Sequence, residues 1–193
     1  MNKQLHRVIF NAARGVRMAV HEAASSNSGR GRLKATAVAA FVAMALHGQF
    51  SLAQIAGDPS APANQRAVVV TAPNGTPLVN IQTPSAGGVS RNTYRQFDVN
   101  GQGAILNNSR TQVQTQLGGW VQGNPYLAAG GARIILNEVN SANPSQLRGY
   151  VEVAGQRAEV IIANPAGIQV NGGGFTNASR ATLTTGTPQV NAT

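Results

Sequence analysis

Apolar positions along this chain follow two unlike patterns. The first is one unbroken run, Ala35 to Leu46; from Ala67 onward they fall into short β-branched runs broken by turn formers. The unbroken run is about 12 residues, short for a bilayer span at 1.5 Å per residue. Arg30, Arg32 and Lys34 precede it, and Ser51-Leu52-Ala53 follows, with small residues at the −3 and −1 positions of a cleavage site between Ala53 and Gln54. Residues 25–53 therefore read as a conventional export signal. Residues 1–24 set Lys3, Arg7, Arg14 and Arg17 among Val8, Ile9, Phe10, Met18 and Val20. They form a basic, mildly amphipathic extension of that signal.

Gln54 to Gln65 is rich in Pro and Ala and reads as a flexible start. The runs after it are Ala67–Thr71, Pro77–Ile81, Gln96–Val99, Ala104–Asn107, Thr115–Val121, Ala132–Val139, Gly149–Val153, Arg157–Ala163, Gly167–Asn171 and Ala181–Thr184. Helical periodicity never persists beyond about two turns. Pro-Asn-Gly, Asn-Gly, Asn-Pro and Gly-Gly signals separate the runs, each supplying a positive or preset φ. The pattern predicts an all-β chain. Gly149 to Ala163 reads as a hairpin turning near Ala154-Gly155-Gln156, with Val151 and Val153 on a buried face and Glu152 on a wet one.

Several apolar runs end in Asn: Asn80, Asn107, Asn137, Asn164 and Asn171. In a solenoid a corner Asn satisfies its amide by stacking on the Asn of the next coil, whereas a sandwich needs no such repetition. Asn is also a common turn residue, and no strict period is visible, so pattern alone leaves both architectures open.

Composition removes most chemistry. The chain carries +9, but seven of its 15 basic residues lie in residues 1–53. From Gln54 on, eight Arg face five acids, a net +3, so the overall pI near 11.5 is no argument for nucleic acid. The same part has no His, Cys or Lys. That excludes Ser-His-Asp, Cys-His and Ser-Lys catalysis, Schiff-base chemistry and ordinary zinc or iron ligation. Disulfide staples are excluded too. Glu152 and Glu159 are not fixed at a glycosidase spacing; with Arg148 and Arg157 nearby they read as surface ion pairs. No cofactor, metal or small-molecule substrate is expected.

Two stretches carry a resemblance. Gly118-Gly119-Trp120-Val121-Gln122-Gly123-Asn124-Pro125-Tyr126-Leu127, followed by Ile134 to Val139, is similar to the two-partner secretion domain of filamentous haemagglutinin-type adhesins and contact-dependent growth inhibition toxins. So is Ala158-Glu159-Val160-Ile161-Ile162-Ala163-Asn164-Pro165-Ala166-Gly167-Ile168. Met1-Asn2-Lys3 through Arg7-Val8-Ile9-Phe10-Asn11 and Arg14-Gly15 resembles the extended signal peptide region of these exoproteins. The resemblance implies a right-handed parallel β-helix over 66–193 with an N-terminal β cap and extra-helical hairpins. It also implies a secreted or surface protein of a Gram-negative bacterium, non-enzymatic and monomeric. The Sec machinery and signal peptidase would handle it first, then the periplasmic domains of an Omp85-class outer-membrane transporter.

Where the family has Asn-Pro-Asn-Leu, this chain has Asn124-Pro125-Tyr126-Leu127; where it often has Asn-Pro-Asn-Gly, this chain has Asn164-Pro165-Ala166-Gly167. Both retain the Asn-Pro turn and change the side chain after it, and turn shaping is the first role expected of them. The chain stops just past a strand, at Gln189 to Thr193, which reads as a truncated or split gene or a fragment of a longer exoprotein. Two other readings remain: a free-standing carbohydrate-binding adhesin, and a polysaccharide-active enzyme on a β-helix scaffold. The first needs clustered exposed aromatics, the second clustered acids on one face.

Overall fold

The computed structural model describes residues 6–11, 16–21 and 54–190, in two units, Met1–Phe50 and Ser51–Thr193. In the first, β1 (His6–Asn11) pairs antiparallel with β2 (Val16–His21), Asn11 opposite Val16. The signal's Arg30, Arg32 and Lys34, its apolar run Ala35–Leu46 and its Ser51–Ala53 site lie outside the described residues.

The second unit is strand after strand: β3 (Ile55–Gly57), β4 (Val68–Thr71), β5 (Pro77–Asn80), β6 (Val89–Phe97), β7 (Ala104–Asn108), β8 (Val113–Thr115), β9 (Gly119–Val121), β10 (Ile134–Val139), β11 (Ser145–Leu147), β12 (Tyr150–Gly155), β13 (Ala158–Ala163), β14 (Ile168–Val170), β15 (Gly174–Thr176) and β16 (Ala178–Thr184). From β5 on, and apart from the β8–β9 hairpin, consecutive strands fall in different sheets, and each pairs in parallel with strands distant in sequence. Face one is the ladder β4-β5-β7-β12-β15, face two β3-β6-β10-β13-β16, and face three β11-β14, extended by a bridge from Val99 to Leu147. A chain that visits three faces in turn and then stacks on itself is a β-helix.

The repeat escapes inspection because the coils differ in length. Inter-coil hydrogen bonds span 27 residues from Asn107 to Asn80, 24 from Asn137 to Ile161 and 21 from Arg180 to Glu159. They span 48 residues from Asn108 to Gln156. The second coil carries an excursion, residues 109–131, which holds the antiparallel hairpin β8–β9.

Each coil buries apolar side chains on its neighbours. Val79, Leu106 and Val153 share one register of face one, Ile135 and Val160 one of face two, all at most 1% exposed. Tyr94 meets Phe97 edge-on, ring centroids 4.9 Å apart, and donates its hydroxyl to Asn137 Oδ1 at 2.8 Å. Burial pushes that phenol far above its usual pKa.

Two expectations need correction. Residues 54–65 are not a loose start: Ile55 is buried, β3 pairs antiparallel with β6, and the Asp98 amide donates to the Gln54 carbonyl at 2.6 Å. This segment caps the first coil together with β4, which runs antiparallel to β5. Gly149–Ala163 is not a hairpin: β12 pairs with β7 and β15 on face one, β13 with β10 and β16 on face two. The turn between them is a coil corner. Gly155 sits there at φ 77°, where an added Cβ would lie 2.6 Å from Ser109 Cβ. The close approach, not a reversal of direction, is what the glycine serves.

Candidate functional site

Both Asn-Pro motifs form corners, and both are built from the asparagine outward. Asn124 and Asn164 are buried, while the prolines after them are exposed. In the first, Asn124 Oδ1 accepts the Tyr126 amide at 3.0 Å and the Leu127 amide donates to the Asn124 carbonyl at 3.3 Å. In the second, Asn164 Oδ1 accepts the Ala166 amide at 2.9 Å and the Gly167 amide donates to the Asn164 carbonyl at 3.0 Å. These are Asx turns, with Pro presetting φ at the second position.

The amide nitrogens do more than close a turn. Asn124 Nδ2 donates to the carbonyls of Ile81 and Asn107, each at 2.9 Å, fastening the excursion to the first and second coils. Asn164 Nδ2 donates to the Asn143 carbonyl and Ser145 Oγ, each at 3.0 Å, fastening the third coil to the second. Leu127 then plugs the main core, fully buried, and Thr83 Oγ1 holds the Tyr126 carbonyl at 2.8 Å. Gly167, at φ 118°, leads into β14, and its carbonyl accepts the Ser145 amide at 3.0 Å. The Tyr126 side chain stays 36% exposed.

Of the predicted asparagine stack, Asn107 donates to Asn80 Oδ1 at 2.9 Å. Asn137 sits opposite Asn92 but sends its amide to the Ile161 carbonyl at 3.2 Å. Asn164 serves its own turn and Asn171 is exposed. Stacking is one use among several.

The sequence reading missed one residue and misplaced another, read as a surface ion pair. Asn108 closes the neck of the excursion: its Oδ1 accepts the Ala132 amide at 2.7 Å, and its Nδ2 donates to the carbonyls of Ala132 and Gln156. Glu152, expected on a wet face, is 5% exposed. Its carboxylate accepts the amides of Gln116 and Leu117, both at 2.8 Å, in the turn of hairpin β8–β9. The hairpin covers the outer side of face one, so the polar partner of Val151 and Val153 is buried after all. No strand pattern reports what lies on top of a strand.

The remaining acids are engaged separately. Glu138 pairs with Arg91 at 2.5 Å, and Glu159 with Arg180 rather than Arg157, at 2.7 Å. Asp98 accepts from Gln96 and Gln146, and Asp58 from Ser60, whose hydroxyl and amide hold that carboxyl below its usual pKa. Among the described residues, no three His, Cys, Asp or Glu converge as a metal site. Of the exposed aromatics, Trp120 and Tyr126 lie on the excursion and Tyr150 on β12.

Known proteins resemble the chain from end to end. The family model described as the TPS secretion domain matches residues 53–193, and that described as the extended signal peptide of the type V secretion system matches 1–50. The chain is 54% identical, over 99% of its length, to the toxin CdiA of Yersinia pestis, and 47% identical, over 97%, to the tRNA nuclease CdiA-2 of Burkholderia pseudomallei. It spans 6% of the length of each of these relatives. Its fold is similar to the crystal structure of a filamentous hemagglutinin secretion domain, with a TM-score of 0.65 and 42% identity, over 72% of this chain and 44% of that one.

Proposed function

This chain belongs to the TPS secretion domain family, behind an extended signal peptide, and we propose that it opens the export of a much longer exoprotein through a dedicated outer-membrane transporter. The protein is secreted or held at the cell surface after passing through the periplasm. Its 54–193 part is an export domain rather than an enzyme, and whatever activity the exoprotein has lies elsewhere. That activity is a toxin's, by analogy with the two CdiA relatives named toxin and tRNA nuclease.

The Sec machinery carries the chain across the inner membrane, and signal peptidase cuts between Ala53 and Gln54. The cap supports this cut, since β3 begins at Ile55 and the Gln54 carbonyl already bonds the first coil. In the periplasm the chain stays loose, and unpaired strand edges dock on the Omp85-class transporter by β-augmentation. At the surface the first coils form beneath the cap and later coils stack on them, each burying its apolar face on the one before.

The observation that carries this reading is the cap at the N-terminal rung. Antiparallel β3 and β4 close the N-terminal rung, and every later neighbour in the two large ladders is parallel. Growth from such a start runs in one direction. The Asn-Pro motifs act as pinned turns, supported by their inward-facing amides; Tyr126 and the two prolines are what remains for the transporter to touch.

The test is release of residues 1–193 from cells with and without a cognate transporter, with N-terminal sequencing of the product. Transporter-dependent release of a chain starting at Gln54 is expected. Release without the transporter, or retention in the periplasm with it, overturns the proposal.

A further inference from the structure

Hairpin β8–β9 belongs to the second coil by sequence, but its contacts extend to the first and third coils as well. It lies over Leu78 of the first coil, Ile105 of the second and Ala154 of the third, which cluster with Ala72 and Val121 and are joined by Val113 and Leu117. In the ladder Leu78 pairs with Ile105 and Ile105 with Glu152, so the first and third coils meet the same intermediate strand rather than each other. The hairpin crosses all three. Its turn is completed by the third coil, where Glu152 takes the amides of Gln116 and Leu117, 36 and 35 residues away. Asn108, at the neck, likewise reaches the third coil at the Gln156 carbonyl, at 2.8 Å.

We propose that this hairpin is a clasp that docks only once the third coil has stacked, locking three coils into one cooperative unit, with Glu152 as the positioning residue. A solenoid otherwise gains stability from nearest neighbours and frays coil by coil. A hairpin of two three-residue strands is marginal by itself. Before residues 150–156 are in place, the shelf lacks Ala154, two turn amides have no protein acceptor, and the neck asparagine has lost one of its carbonyls. The long loop between the hairpin and Glu152 must also close, which costs entropy before the contact returns anything. Docking therefore follows the third coil and cannot precede it.

The chain supplies its own probe, since its single tryptophan, Trp120, lies in β9. In the unaltered full chain, the Gln116 and Leu117 amides should exchange hydrogen as slowly as those of β7 and β12. Urea transitions followed by Trp120 fluorescence and by far-UV circular dichroism should coincide. In Glu152→Gln an amide NH2 faces one of the two donors, so β8–β9 amides should exchange roughly 10- to 100-fold faster relative to those of β10 and β13. The Trp120 transition should then precede the dichroism. Glu159→Gln, which loses a pair to the largely exposed Arg180, should leave the two transitions together. The clasp is overturned if Gln116 and Leu117 exchange far faster than β7 and β12 in the unaltered chain. Uniform loss of protection in Glu152→Gln, with transitions still coincident, overturns it as well. Should Glu152→Gln fail to fold, the unaltered chain's exchange pattern decides alone. None of these readouts involves the transporter, so they stand or fall separately from the export assay.

Discussion

The corners at 124–127 and 164–167 share a sequence idea and an Asx turn but carry different loads. Asn164 shapes the path of one coil, and its amide reaches one neighbouring segment, Asn143 to Ser145. Asn124 ties an insertion to the stack, and its amide reaches two coils at Ile81 and Asn107. The residue closing each motif follows the load. Leu127 must hold the excursion down and fills the core; Gly167 must turn the chain at φ 118° and has no side chain to place. A shared motif specifies a local turn, and the side chain after it adapts to what the turn has to hold.

This contrast can be broken most forcefully at Leu127. Leu127→Ala removes a fully buried plug and should cost about 2–5 kcal/mol of stability, measured by urea denaturation of the secretion domain within the full chain. No equivalent loss is available at Gly167, so an effect under about 1 kcal/mol would mean that the excursion is not anchored through the core.

Next in size are the asparagines. Asn124→Ala strands two main-chain carbonyls as well as the turn amide and should cost about 2–4 kcal/mol. Asn164→Ala strands its turn amide too, but only one carbonyl, and a Ser145 hydroxyl that can rotate to another partner, so about 1–3 kcal/mol is expected. Equal costs in a side-by-side comparison would erase the distinction between fastening two coils and fastening one.

The smallest effect on stability is expected at Tyr126. Its backbone is used by Asn124 and Thr83, but its ring is partly exposed, and Tyr126→Ala should change stability by no more than about 0.5 kcal/mol. A fall in transporter-dependent release without a fall in stability would assign the ring to the transporter. Unchanged release would leave the Tyr126 ring without a part in export.

Much of the strand content was legible. The runs Pro77–Ile81, Ala104–Asn107, Ala132–Val139 and Arg157–Ala163 each hold most or all of an observed strand, because apolar β-branched residues line the interior there. β6 was readable only at its end, as Gln96–Val99. Its Val-Ser-Arg-Asn-Thr-Tyr-Arg-Gln-Phe sequence places Ser90, Asn92 and Tyr94 in buried positions, so the alternation is polar against polar. β11 and β15 are three residues each and too short to show a period. The Asn-Pro corners were visible as turns, but their carbonyl partners lie 17 to 43 residues away and leave no mark near the motif.

By itself the sequence determined a β chain punctuated by Asn, Gly and Pro, an export leader, two Asn-Pro turns and a secretion domain's side-chain repertoire, all properties that neighbouring residues impose on one another. Tertiary structure decided which strands pair, that 149–163 turns a corner instead of a hairpin, and that Glu152 is buried under an insertion. Period-two alternation states that successive side chains point to opposite faces. What covers each face is set by segments far along the chain, and the stacking energy that selects them is not written in any single coil.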